Sequence, residues 1–179
     1  VRESIAINGL SVVTVALFVI IPFCFIPSTY ASFIVKEREC KAKHLQFVSG
    51  VHFVVYWASN FVYDLLSFFL TEALAIAVFA IFKRTEYTDA SVIGATLLLI
   101  ALYGTASICA AYATSFMFDN HGSAQTMIML GNFLAGFVMV LASFILKLLD
   151  AVPSWTYHFF RLSPPYCLGE GIIALASAP

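Results

Sequence analysis

Charge is what this sequence has least of. Only 11% of its 179 residues are Asp, Glu, Lys or Arg, about half the fraction a water-soluble domain carries. So few polar side chains do not cover a surface that faces water, which leaves lipid as the matching solvent. The net charge of -1 excludes a basic chain, and no basic residues interleave with stacking aromatics, so no nucleic-acid partner is expected. The cysteines, at 24, 40, 109 and 167, include no CxxC pair and no metal-ligand spacing, so neither a disulfide framework nor a metal site is expected. A GxxxxGK[ST] phosphate loop, an HExxH and a GxSxG are all missing, and His44, His52, His121 and His158 are widely separated. The chain is expected to hold no catalytic residue and no cofactor of its own.

What the sequence does have is long apolar runs. A bilayer-spanning helix needs about 20 apolar residues, and four runs reach that: roughly 10–35, 53–82, 91–118 and 123–149. Alternation of period two is absent, so a barrel is excluded, and an open sheet edge is not satisfied in lipid. The predicted fold is an all-α membrane protein of about four spans. Pro22 and Pro27 each remove a backbone donor from the first, which predicts a tolerated bend. The links KRTEYTDA (83–90) and DNHG (119–122) are short, making successive spans antiparallel neighbours, with Gly122 available for a positive φ. From Asp150 to Pro179 no uninterrupted span remains. Pro153, Pro164 and Pro165, then Gly169 and Gly171, predict short helical pieces lying at the interface or dipping part-way in. Trp155, Tyr157, Arg161 and Tyr166 suit headgroup depth there. The start at Val1, without Met, reads as a piece of something larger.

The positive charge is gathered in one place. Of nine Lys and Arg, four lie at Lys36, Arg38, Lys41 and Lys43, between the first two runs. Glu37 and Lys41 are four apart, as are Glu39 and Lys43, each with the acid leading, which favours a helix. Gly50 follows as a stop. Residues 37–49 are therefore expected to form a short helix outside the bilayer core. Counting Lys and Arg on each side does not orient the spans, since the opposite face has Arg2, Lys83, Arg84, Lys147 and Arg161.

The wording of this segment carries a resemblance. VKERECKAKHLQFVSGV followed by YWASNFVYD closely resembles the corresponding stretch of the A-subfamily ABC transporters, which export lipid. The tail PPYCLGEGI is similar to the family's P-x-x-CLG-x-G motif, with order and spacing agreeing from about Ile21 to Ile173. Glu170 departs from it, standing where the family often carries a basic residue. The resemblance implies that 36–52 is cytoplasmic and that the chain is one transmembrane domain fragment holding the second to fifth helices and a re-entrant outer segment. The nucleotide-binding domain, with its ATP and Mg, would lie outside the chain, as would the second transmembrane half. The family's coupling helix, which passes closure of the ATPase domain to the membrane, maps onto residues around Arg38 to Ser49. Arg38, Lys41, Lys43 and His44, with Lys36, would face the ATPase or lipid headgroups, and Leu45 and Phe47 would be packing knobs.

Inside the spans, ionisable residues are functional candidates. Asn60, Asp64, Ser67 and Thr71 form one polar stripe at about 100° per residue. Asp64, near the cytoplasmic end, equally fits pairing with Arg38 or a lysine. Glu72, off the stripe, is expected to make a buried interhelical hydrogen bond. Gly104, Ser107, Ala111, Thr114 and Ser115 on the third span, and Gly131 and Ala135 on the fourth, are small-residue faces for close packing. The reading that follows is the membrane part of an ATP-driven lipid exporter. Its rival is a stand-alone helical scaffold or channel, which would need a row of polar groups along a pore.

Overall fold

The computed structural model describes residues 2–148 and 155–176. Expectations for 150–154 and 177–179, and for the side chains of Arg2, Lys147, Trp155 and Tyr157, lie outside the described residues. The elements are α1 (Arg2–Glu39), α2 (Ala42–Val48), α3 (Phe53–Ile81), α4 (Thr85–Thr88), α5 (Ile93–Ser115), α6 (His121–Phe133), a π-helical turn (Leu134–Val138), α7 (Met139–Leu148), α8 (Trp155–Phe160) and α9 (Pro164–Ala176). Among the described residues there is no strand. Among the described residues four stretches are long and apolar enough to cross a membrane: Thr14–Glu39, Phe53–Ile81, Ile93–Ser115 and His121–Leu146. Their number agrees with the four predicted spans.

The first span is the centre of the bundle. Its most apolar window is 56% buried, against 22–33% for the other three, and α1 packs along α6, α5 and α9. The α-helix runs through Pro22 and Pro27 unbroken. Pro27 has no N–H for the carbonyl of Phe23, and the Tyr103 hydroxyl supplies the missing donor at 2.7 Å. That bond joins α1 to α5. Around it, the rings of Phe23, Phe68 and Tyr103 meet with centroids 5.9–6.2 Å apart.

In lipid no hydrophobic force drives helices together, so shape fit has to hold them. Gly104 gives α3 and α5 that fit: a Cβ there would stand 2.2 Å from Cε1 of Phe68. On the fourth span the expected small residue is the wrong one. Gly131 faces open space, whereas a Cβ on Gly136 would meet Ile20, Cys24 and Pro165 at 2.8–3.1 Å. Gly136 lies in the π turn, whose wider winding shifts the register of the side chains beyond it.

Two local expectations also change. Gly122 is not at positive φ, because the turn is closed by Asn120, whose side chain accepts from the N–H groups of Gly122 and Ser123 and starts α6. Gly50 does stop its helix, at φ 98°.

The tail dips in. Helix α9 packs on α1, α5, α7 and the π turn. Its glycines are the contact points: a Cβ on Gly169 would stand 2.6 Å from both Ile20 and Val140, and one on Gly171 2.6 Å from Leu99. Tyr166 is fully buried against Ile20, Cys24 and Val140, so it is a packing residue, not a headgroup-level anchor.

Candidate functional site

The charged segment is built as a break and a restart. Helix α1 ends at Glu39, and Lys41, the residue before α2, sits in the left-handed region at φ 58°. A non-glycine residue there costs roughly 1–2 kcal/mol. The return on that strain is direction, since α2 leaves α1 at a corner. The single helix expected over 37–49 is thus corrected to the end of α1 plus Ala42–Val48. The predicted Glu37–Lys41 and Glu39–Lys43 pairs do not form, because each acid has a better-placed partner.

Glu37 accepts 2.6 Å from the Tyr56 hydroxyl on α3 and 3.3 Å from the Gln46 amide on α2. Glu39 accepts from both the backbone N–H and the ring Nδ1 of His121, at 3.1 and 2.7 Å, and from the Asn120 amide at 3.3 Å. Arg38 donates to the carbonyls of Ser115, at 3.0 Å, and Phe118. A cation is at home on these open carbonyls at the end of α5.

Lys43 is enclosed by aromatic rings. Its Nζ stands 4.2 Å from the centroid of Trp57, 4.8 Å from Tyr56, 5.9 Å from Phe116 and 6.0 Å from Phe47. Each face attracts the ammonium, by about 0.5–2 kcal/mol depending on desolvation. Burial and the neighbouring Arg38 push its pKa below the ordinary lysine value, and Glu37 opposes them. The ring faces, by stabilising the cation, oppose them too.

The six residues assigned to coupling therefore divide. Arg38 and Lys43, expected to face the ATPase or headgroups, are turned in and half-buried, and Phe47, also half-buried, packs on Phe53 and Tyr56 of this chain. Lys41, His44 and Leu45 are exposed, Leu45 at 66% and its neighbour Val48 at 71%. Helix α2 buries no residue, so it presents a small face, part apolar and part basic. Sequence reasoning gave Glu37 and Glu39 only as partners of Lys41 and Lys43, and did not bring Tyr56, Trp57, Phe116, Asn120 or His121 to this site. Several stand in the quoted motifs, which was the available signal.

The polar stripe of α3 does not stay open. The Asn60 amide donates to the Tyr56 carbonyl and the Thr71 hydroxyl to the Ser67 carbonyl, both within the helix. Asp64 is buried and accepts from the Tyr112 hydroxyl at 2.5 Å. Arg38, held at the end of α5, does not pair with it. Glu72 is buried on the same side as Asp64 and Phe68, and among the described residues its carboxyl has no hydrogen-bond partner. The α5 residues that line the space beside it, Gly94, Leu97, Leu98 and Ala101, carry no side-chain donor, and the nearby Thr96 hydroxyl donates to the Val92 carbonyl of its own helix.

The model of the ABC-2 family transporter protein matches residues 5–178. The chain belongs to that family. The chain is 34% identical over 170 residues to ATP-binding cassette sub-family A member 2 of Rattus norvegicus, covering 92% of this chain and 7% of that protein. It is 33% identical over 168 residues to the retinal-specific phospholipid-transporting ATPase ABCA4 of Bos taurus, 90% of this chain and 7% of that one. With the phospholipid-transporting ATPase ABCA3 of Rattus norvegicus it shares 34% over 162 residues, 88% and 10%. It spans a tenth or less of the length of these curated relatives. The ABC-2 membership makes the chain a multi-pass integral membrane part of an ABC transporter.

Within that ABC-2 domain Glu170 has a partner. Arg161, just before α9, donates two bonds to its carboxylate, 2.9 Å from Nε and 3.1 Å from Nη2. Arg161 also offers its carbonyl to the Cys167 thiol at 3.0 Å. Together these brace the turn between α8 and α9.

Proposed function

We propose that this ABC-2 domain is the membrane-spanning part of an ATP-driven exporter of lipid or another amphipathic molecule, with α2 as its coupling helix. One observation supports the reading above the rest. The short segment from Glu37 to Trp57 is bonded or packed to the ends of all four spans: it continues α1, enters α3, holds the end of α5 through Arg38 and Lys43, and holds the start of α6 through Glu39. A body joined so widely moves all four helices when its seat moves. Its outer face, with Lys41, His44, Leu45 and Val48, is left for a partner.

That partner is a nucleotide-binding domain outside this chain, and the second transmembrane half completes the path. The sequence of this chain carries no GxxxxGK[ST] phosphate loop, which is the reason for assigning ATP and Mg to that domain. The cargo class follows two of the relatives, which are named as phospholipid-transporting ATPases. The stripe favours the channel alternative little, since Asn60 gives an amide N–H to the Tyr56 carbonyl and Thr71 gives its hydroxyl to the Ser67 carbonyl, both on their own helix.

The test is Lys41→Glu with Leu45→Asp in the intact transporter in liposomes. Export should fall about tenfold or more, the size of losing one to two kcal/mol at a docking surface, while the thermal midpoint stays put. Normal export in a stably folded double variant would sink the assignment.

A further inference from the structure

A carboxylic acid buried in a bilayer span without a protein partner needs an explanation, because an unsatisfied polar group there costs several kcal/mol. Glu72 is such a group. It is 5% exposed, and no described residue bonds to it. It does not face solid packing. It lines a hollow of about 480 Å³ between α3 and α5, with Phe69, Ala73, Gly94, Leu98 and Ala101. That volume lies in the range of about 300–1,000 Å³ common for small-molecule sites. Small residues make the space: a Cβ on Gly94 would meet nothing within 4 Å. The rim is apolar and open, with Phe69 41% and Leu98 61% exposed.

Depth narrows the ligand. Gly94 to Ala101 occupy the first two turns of α5, so the hollow reaches about 12 Å below that helix end at 1.5 Å per residue. A single leaflet is about 15 Å deep. The hollow therefore lies within the leaflet opposite α2 and opens sideways to its chains. A guest arriving from there has an apolar body, and the one acceptor it meets is Glu72.

We infer that this hollow is a binding site for a membrane amphiphile whose polar end carries an O–H or N–H donor, which bonds to the Glu72 carboxyl while its apolar body lies against Phe69 and Leu98. Nothing in this assignment depends on α2 coupling to an ATPase. The guest is either a constituent of the bilayer that tunes the α3–α5 contact or cargo lodged near one surface, and the donor chemistry is the same for both.

The experiment uses the intact transporter in phosphatidylcholine vesicles and the lipid-soluble reagent dicyclohexylcarbodiimide, with modified carboxyls mapped by peptide mass. Glu72 should be modified. Cholesterol or stearylamine, at a few mole per cent, should slow that modification about tenfold, as expected for a hydrogen bond to a buried carboxyl. Protection by cholesterol but not stearylamine identifies a hydroxyl guest; the reverse identifies an ammonium. Their donor-blocked relatives, cholesteryl methyl ether and stearyltrimethylammonium, should not protect. Labelling of α3 by a photoreactive form of the protecting probe should survive in Glu72→Gln, which keeps an acceptor, and fall about tenfold in Glu72→Leu. Absence of Glu72 modification would mean that another part of the transporter covers the carboxyl, and modification indifferent to both probes would mean an empty hollow. Either result overturns the site. Neither would bear on export in the α2 variants, so the two readings fail separately.

Discussion

The Tyr103 hydroxyl donates a 2.7 Å hydrogen bond to the carbonyl of Phe23, the acceptor that Pro27 leaves without its helical partner. A proline in α1 and a tyrosine in α5 thus complete one backbone bond between them. The proline opens the acceptor, and the tyrosine turns that gap into a tie between spans.

This tie predicts a double-mutant cycle. Tyr103→Phe leaves the Phe23 carbonyl unpaired and should cost about 1–3 kcal/mol. In a Pro27→Ala background the alanine N–H fills the gap, and Tyr103→Phe should cost well under half as much. The check is the thermal midpoint of the intact transporter in detergent. Equal losses in both backgrounds would show that the tyrosine does not serve the proline gap.

Glycines of the fourth span should separate sharply. Gly136→Ala pushes a methyl against Ile20, Cys24 and Pro165, which belong to two different helices, and should cost about 1–3 kcal/mol as overpacking does. Gly131→Ala enters open space and should be neutral or slightly stabilising, because alanine is the better helix former. Folded yield by size exclusion, read beside the thermal midpoint, compares them. A tolerated Gly136→Ala would remove the π turn's packing role.

Lys43 is expected to act as a joint, not as a surface contact. Lys43→Met keeps the stem but loses the cation, so α2 should loosen from α3 and α5 by about 0.5–2 kcal/mol. Lys43→Arg should retain most of the attachment. Trp57 fluorescence reports on the rings directly, and cargo exported per ATP hydrolysed reports on transmission. Retention of both by the methionine variant would show that the rings hold Lys43 without using it.

The buried Asp64–Tyr112 pair should show the asymmetry of a lost donor. Tyr112→Phe strands the acid and should cost about 1.5–3 kcal/mol, whereas Tyr112→Phe with Asp64→Leu, which removes both polar groups, should recover much of the loss. Thermal midpoints of the two variants and of the parent protein decide it. A double variant as weak as the single one would mean that Asp64 has further partners.

Reversing one end of the tail's ion pair should loosen the turn between α8 and α9. Glu170→Arg places two cations at the turn between α8 and α9 and should lower the thermal midpoint. Adding Arg161→Glu should restore it, since the same two-bond geometry is available with the charges exchanged. Failure of the exchanged pair to recover would show that Glu170 has work beyond holding Arg161.

Membrane residence, four spans, their antiparallel order and the crowding of charge between the first two were all fixed by linear properties. Run length sets whether a helix crosses, and short polar links force neighbours to reverse, so no tertiary contact is needed to read them. Which way each cation of 36–50 points was decided by the fold. Arg38 reaches carbonyls 77 and 80 residues away, and Lys43 is surrounded by rings from α2, α3 and α5. The same holds for the Phe23–Tyr103 tie, the choice of Gly136 over Gly131 and the isolation of Glu72. Each depends on what a distant helix places opposite a residue, and spacing along the chain carries no record of that.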